Sequence, residues 1–116
     1  MDYQWTVFHA DLDPTIGREQ AGERPVLVIS AEPLNQAYEV VMVVPITSRK
    51  NNRPARLGEV LLPLAAAGLR AESFALCYQV RTLDKRRLTR AYGTLDDSSL
   101  RSQIQETLLM CFDFDL

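Results

Sequence analysis

Asp11-Leu12-Asp13-Pro14-Thr15-Ile16-Gly17-Arg18-Glu19-Gln20-Ala21-Gly22-Glu23-Arg24-Pro25-Val26-Leu27-Val28-Ile29-Ser30 leaves one apolar segment, crosses a polar loop and enters a second apolar run. Pro14 fixes its own φ and biases Asp13 to an extended conformation, and Gly17 and Gly22 permit sharp bends. Arg18, Glu19, Glu23 and Arg24 put more charge between the two apolar runs than a minimal hairpin turn requires. Loops of this length are disproportionately functional, and the competing reading is a solvated hairpin loop.

Outward from this loop, the chain reads as short strands. Trp5 to Leu12 alternates, with Phe8, Ala10 and Leu12 on one face and Trp5, Val7 and His9 on the other. Pro25 to Ser30 is apolar on both faces and therefore central, and proline is tolerated at its first position. Glu32 to Ala37 reads as a helical turn or loop, and Val40 to Ile46 as a strand buried on both sides. A basic loop from Arg49 to Leu57 precedes a short strand, Gly58 to Leu62. A helical turn at Pro63–Ala67 is then stopped by Gly68. Ser73 to Val80 alternates as a fifth strand; Asp84 to Leu88 reads as another helical turn, followed by a loop at Gly93. Asp96-Asp97-Ser98 offers N-caps for a helix whose Leu100, Ile104, Leu108 and Cys111 form one apolar stripe. The tail Phe112-Asp113-Phe114-Asp115-Leu116 is aromatic and acidic. The whole is a mainly β chain with short helices and a C-terminal helix, a small half-open β-barrel in a single domain spanning 1–116. Open sheet edges make homodimerisation a natural way to cover them.

Composition narrows the function. A net charge of −2 argues against strong non-specific nucleic-acid binding. The charge is uneven, however: Arg49, Lys50, Arg53 and Arg56 form one basic stretch, and Arg81, Lys85, Arg86, Arg87 and Arg90 a second. These hold nine of the thirteen basic residues, so either a local phosphate-binding surface or two solvated loops is consistent with them. One histidine and no Cys-x-x-Cys make a metal site improbable, and no cofactor motif is present. Cys77 and Cys111 lie among apolar neighbours and read as free thiols. No apolar run approaches the ~18–20 residues that span a bilayer, and Met1-Asp2-Tyr3-Gln4 has neither the positive start nor the apolar core of a signal peptide. No membrane association and a cytoplasmic location are expected.

Three features place polar side chains where a strand ends. They are Glu19 with Arg24, Pro45-Ile46-Thr47-Ser48-Arg49 where the third strand runs out, and Leu76-Cys77-Tyr78-Gln79-Val80-Arg81-Thr82-Leu83-Asp84 where the fifth ends. Taken singly, Arg24 reads equally as a loop anchor, Thr47-Ser48 as a turn cap and Gln79 as a satisfied buried amide.

The string Asp11-Leu12-Asp13-Pro14-Thr15-Ile16-Gly17-x-Glu19-Gln20-x-Gly22-x-Arg24-Pro25-Val26 resembles the N-terminal signature of the MazF/PemK (Kid-type) toxin endoribonucleases. The resemblance continues through Val43-Val44-Pro45-Ile46-Thr47-Ser48-Arg49, Gly68-Leu69, Ser73, Cys77-x-Gln79-Val80-Arg81-Thr82-Leu83-Asp84, Arg87-Leu88 and Gly93. It implies a homodimeric, SH3-like half-open barrel (CcdB/MazF-type) that acts as a sequence-specific mRNA interferase. Such an enzyme cleaves single-stranded RNA without metal or cofactor, the ribose 2′-OH attacking its own phosphodiester to leave a 2′,3′-cyclic phosphate and a 5′-OH. By resemblance Arg24 and Thr47 are the core catalytic pair, and Glu19 is the candidate base. A planar guanidinium suits the phosphorane, whereas a free arginine, protonated at any ordinary pH, is a poor base. Arg18, Ser48, Arg49, Lys50, Gln79 and Arg81 are the expected RNA contacts, with Arg53 beside them, across the loops that follow the first and third strands. The implied partner is a cognate antitoxin with an acidic, partly disordered tail. The alternative is a non-catalytic toxin of the same fold that inhibits DNA gyrase.

Two departures bear on the chemistry. Some Kid-type members carry histidine at the position of Arg18 and aspartate at that of Tyr78, so a scheme using that aspartate does not transfer. Tyr78 is left as either a proton donor or a core residue. The family's Gly-acidic pair at the start of the first strand is replaced by Trp5-Thr6, which is expected to border the entry to the loop. His9 lies mid-strand, outside the motif positions, and reads as a structural or interface histidine.

Overall fold

A computed structural model describes residues 2–114. Seven antiparallel strands alternate with short helices: β1 Thr6–Asp11, β2 Glu23–Val28, α1 Glu32–Ala37, β3 Val40–Ser48, β4 Glu59–Leu62, β5 Ser73–Leu76, β6 Arg81–Asp84, β7 Leu88–Thr94 and α2 Ser98–Phe112. The strands run β4-β5-β3-β2-β1-β7, with β6 also paired to β3.

β3 is the hub. Its continuous apolar run can be buried on both sides, and one edge pairs with β2 from Val43 to Pro45. The other edge is shared: Val40–Val43 pair with β6, and Ile46–Ser48 pair with β5. That sharing explains where the expected fifth strand breaks. Ser73 to Val80 is not one strand: it ends at Leu76, passes through a 3-10 turn at Cys77–Gln79 and resumes as β6. The turn lets the chain step along β3 from one pairing segment to the next.

The alternation along β1 separates two cores. Phe8, Ala10 and Leu12 pack with Val26, Val28, Val41, Val43 and Leu83, and Leu88 closes against them. β7-β1-β2-β3-β6 wrap this cluster, and a 3-10 turn at Lys85–Arg87 joins β6 to β7, which produces the half-open barrel. On the other face Trp5, Val7, Leu27, Val44 and Ile46 pack with Leu100 and Ile104, and Leu108 and Cys111 lie against the same cluster. Asp97 caps α2 by accepting from the amides of Ser99 and Leu100, as the acidic run predicted. Burying a side chain such as Ile104 completely is worth about 1.5–3 kcal/mol.

β7 is absent from the sequence reading, which placed only a loop at Gly93. Leu88-Thr-Arg-Ala-Tyr-Gly-Thr is a half-exposed edge strand with two register shifts against β1, so its apolar pattern is weak. Its glycine has a packing reason. A Cβ on Gly93 would lie 2.9 Å from the Ala67 carbonyl oxygen, and one on Gly68 2.4 Å from that of Tyr92. The 3-10 turn Ala66–Gly68 thus lies backbone to backbone on β7.

Other boundaries shift by small amounts. β2 starts at Glu23 rather than Pro25, and β3 runs on through Thr47 and Ser48. Trp5 is at the opposite end of β1 from the loop, held by its amide to Val28 O and its carbonyl to Leu95 N. It therefore does not border the loop entry. Of the acidic tail, Asp115 and Leu116 lie outside the described residues.

Candidate functional site

The β1–β2 connection is a tied loop. Leu12 N donates to Gly22 O at 2.9 Å to close it, and Gly22 N donates to Asp13 Oδ1 at 3.0 Å. Arg87 Nη1 donates to the carbonyls of Asp11 and Asp13, and Arg81 Nη1 to that of Leu12. From the other side Gln79 Oε1 accepts from Gln20 N at 2.8 Å, while its Nε2 donates to Arg18 O at 3.3 Å. Glu19 is tied into this loop. Its amide donates to Ile16 O, and its carboxylate accepts from Ile16 N at 3.2 Å, closing one turn on itself.

Between this loop and the Cys77–Gln79 turn lies a cleft of about 540 Å³. Arg18, Glu19, Gln79 and Arg81 line it together with Tyr78, and Pro45 is also on its wall. Four of the nine expected site residues thus converge on one cleft, although 62 positions separate Glu19 from Arg81 in sequence.

Arg24 and Thr47 meet just beyond it. Val26 pairs with Pro45, and continuing that antiparallel register by two residues sets Arg24 opposite Thr47. Arg24 Nε donates to Ala21 O at 2.9 Å, which aims the guanidinium, and Nη1 reaches Thr47 Oγ1 at 3.5 Å. Nη2 has no hydrogen-bond partner among the described residues. Both side chains are half-buried, on rigid strands, and Thr47 shares the strand face of Pro45.

The basic loop contributes less free charge than its composition suggests. Arg49 donates to Arg53 O and Asn52 O and pairs with Glu72 at 3.5 Å, so it builds its own turn. Arg53 forms a two-pronged pair with Glu59 and lies over the Phe74 ring, 4.1 Å from its centre. Burial pushes the Glu59 carboxyl up, but the bonds from Arg53 and from the Arg56 amide outweigh it and leave the group below the usual carboxylate range. Ser48 is exposed and opposite Ser73, and Lys50 is exposed; neither lines the cleft. In the second basic stretch Arg86 is paired with Asp84, whose carboxyl that bond holds low.

Tyr78 is not a core residue: it is 54% exposed, on the rim of the cleft. Gln79 is a satisfied amide but half-buried rather than buried. His9 is held between Tyr92 OH and Glu23 Oε1, each at 3.3 Å, away from the cleft lining. Cys77 and Cys111 are free, and burial first, then the nearby Cys111, pushes the Cys77 thiol up to about 12. No three of His, Cys, Asp and Glu cluster as a metal site among the described residues. None of their helices is long and apolar enough to cross a membrane. Sequence reasoning assigned no site role to Gln20, Ile16 or Arg87. The first two stand inside the signature string, and Arg87 follows Asp84 in a quoted motif, so the signal was position rather than residue type.

Residues 3–111 match the family model described as PemK-like, MazF-like toxin of type II toxin–antitoxin system. The chain is 36% identical over 104 residues to Endoribonuclease EndoA of Bacillus subtilis (strain 168), covering 88% of this chain and 86% of that protein. It is 37% identical over 78 residues to Endoribonuclease PemK of Escherichia coli, covering 67% of this chain and 57% of that protein. Among solved structures it is similar to Mycobacterium tuberculosis toxin MazF-mt6, with a TM-score of 0.77 and 27% identity over 96% of this chain and 99% of that one.

Proposed function

This chain belongs to the PemK-like, MazF-like toxin family and is an endoribonuclease, and we propose that it cuts single-stranded mRNA at specific sequences without a metal. The 2′-OH of one ribose attacks the adjacent phosphorus as the P–O5′ bond breaks, the leaving O5′ takes a proton from solvent water, and the products are a 2′,3′-cyclic phosphate and a 5′-OH. The observation that carries this reading is the Arg24 guanidinium opposite Thr47 Oγ1 at 3.5 Å, beside the cleft that holds Glu19 and Arg81. Negative charge grows on the phosphorane oxygens, and a fixed guanidinium with an unengaged Nη2 meets it without reorganisation. The Thr47 hydroxyl donates to a phosphate oxygen or orients the 2′-OH. Glu19, whose carboxylate accepts from Ile16 N, takes the 2′-OH proton in this reading. Arg18 and Arg81 supply positive charge to the strand along the cleft, and Ser48 and Lys50 extend it. Arg49 and Gln79 act by shaping the loops around it. The enzyme works as a cytoplasmic homodimer, silenced by a cognate antitoxin whose acidic tail competes for this surface.

The test is incubation of the purified protein with a long single-stranded RNA in EDTA, with both new ends mapped. The expected result is cleavage at a defined sequence with a cyclic phosphate upstream and a free 5′-OH downstream. Intact RNA together with inhibition of DNA gyrase would replace this reading by the gyrase-poison alternative.

A further inference from the structure

Among the described residues Tyr78 is the one aromatic side chain lining the cleft, and the fold presents it as a supported plane. Its backbone is fixed within the 3-10 turn: Cys77 N donates to Gly58 O at 2.9 Å, and Val80 N to Cys77 O at 3.2 Å. The Cys77 side chain anchors the turn in the core. Gly58 backs the ring. A Cβ there would lie 3.1 Å from both Cβ and Cδ1 of Tyr78, and its φ of +81° is a conformation that suits glycine. Gln79 Nε2 donates to the phenol oxygen at 3.3 Å and sets the ring's tilt. An aromatic side chain held at its backbone and at its phenol, on a residue 54% exposed, loses little freedom when something flat is laid on it.

The neighbouring amide cannot do the same work. Gln79 uses Oε1 on Gln20 N and Nε2 on Arg18 O and Tyr78 OH, so its edge is occupied by the loop. Arg18 and Arg81 line the same cleft as the ring and bring positive charge to it. Cations beside an exposed aromatic plane in a groove are the arrangement that holds single-stranded nucleic acid, by phosphate contacts and base stacking.

Resting on the RNA reading above, we infer that the Tyr78 ring is the stacking platform for one unpaired base of the substrate, beside the scissile phosphate. It is a positioning residue and takes no part in proton transfer.

The experiment first maps the wild-type cleavage site on a long RNA. A fluorescein-labelled oligonucleotide of that sequence, with 2′-deoxyribose at the scissile position, then measures binding without turnover. Tyr78→Phe keeps the ring and is expected to bind within about twofold of wild type, whereas Tyr78→Ala is expected to bind about tenfold to a hundredfold more weakly. A set of oligonucleotides, each abasic at one position, supplies the second readout. At one position the abasic substitution should weaken wild type as much as Tyr78→Ala does, and cost Tyr78→Ala nothing further. If no position behaves so, or if Tyr78→Phe loses as much as Tyr78→Ala, the platform is wrong even though wild-type cleavage stands. Absence of wild-type cleavage would instead overturn the nuclease reading beneath it. Circular dichroism melts of both variants confirm that they are folded.

Discussion

Arg24 gives one of its three nitrogens to the Ala21 carbonyl and points a second at Thr47, which leaves the third for a ligand. That division of labour separates arginine from lysine. A planar fork can be aimed by one bond and still clamp an anion with the others, whereas an ammonium on a flexible stem cannot be held the same way. Arg24→Lys keeps the charge and should keep the fold, because the side chain is only half-buried and outside both apolar clusters. Initial cleavage rates are expected to fall about 10²–10³-fold, the usual cost of losing one contact to developing charge. A rate near that of wild type would mean that positive charge alone suffices and that the fork geometry is irrelevant. The neighbouring arginines carry the converse lesson. Arg49, Arg53 and Arg86 are as basic as Arg24 in sequence, but each is spent on a carboxylate or a carbonyl close by in the chain.

At the scale of elements, the loop from Leu12 to Gly22 and the turn at Cys77–Gln79 form one unit. Gln79 joins them through two bonds to the loop backbone, at Gln20 N and Arg18 O. Gln79→Ala removes both and leaves the barrel core untouched, since Gln79 belongs to neither apolar cluster. The Gln20 amide should then exchange with solvent about tenfold faster, as expected for a hydrogen bond worth ~1–1.5 kcal/mol. KM should rise because Arg18 and Glu19 are no longer held at the cleft. Unchanged exchange at Gln20 would show that Arg81, Arg87 and Asp13 alone fix the loop. The same unit explains a strand that periodicity misread. Residues 73–80 alternate well enough for one strand, yet β3 offers its edge in two segments. The chain therefore bends at Leu76, where φ −89° and ψ 77° leave the extended conformation. Alternation records which face a residue occupies, and it is blind to where the pairing partner changes.

For the molecule as a whole, Glu32 ties the N-terminal segment to the barrel. Its Oε1 accepts from the amides of Tyr3 and Gln4 and from buried Asn35, which in turn holds Ser30. Burial pushes this carboxyl up, but hydrogen bonds from Gln36, Gln4, Asn35 and Tyr3 outweigh it and bring the pKa down to about 2. A carboxyl held below its ordinary value contributes stability that is fully present above the ordinary value of 4.5 and is lost as pH falls towards about 2. Urea unfolding of wild type and Glu32→Gln should therefore differ at pH 7 and converge near pH 2. A difference that stayed constant across this range would mean that the ionised form has no advantage.

The sequence by itself determined the β class, the capped C-terminal helix, the two faces of β1 and the motif residues, because period, caps and loop chemistry are local properties. It missed β7, whose half-exposed residues and backbone-packed Gly93 carry little apolar pattern. The tertiary structure alone decided which charges remain free, since pairing partners such as Glu59 and Glu72 are set by loop geometry. It alone also decided that Arg24 faces Thr47. The two lie 23 positions apart, and one residue of slip between β2 and β3 would turn them to opposite faces. Val26, Leu27 and Val28 are buried where they pair with Val43–Pro45, and so the site stands directly on the core.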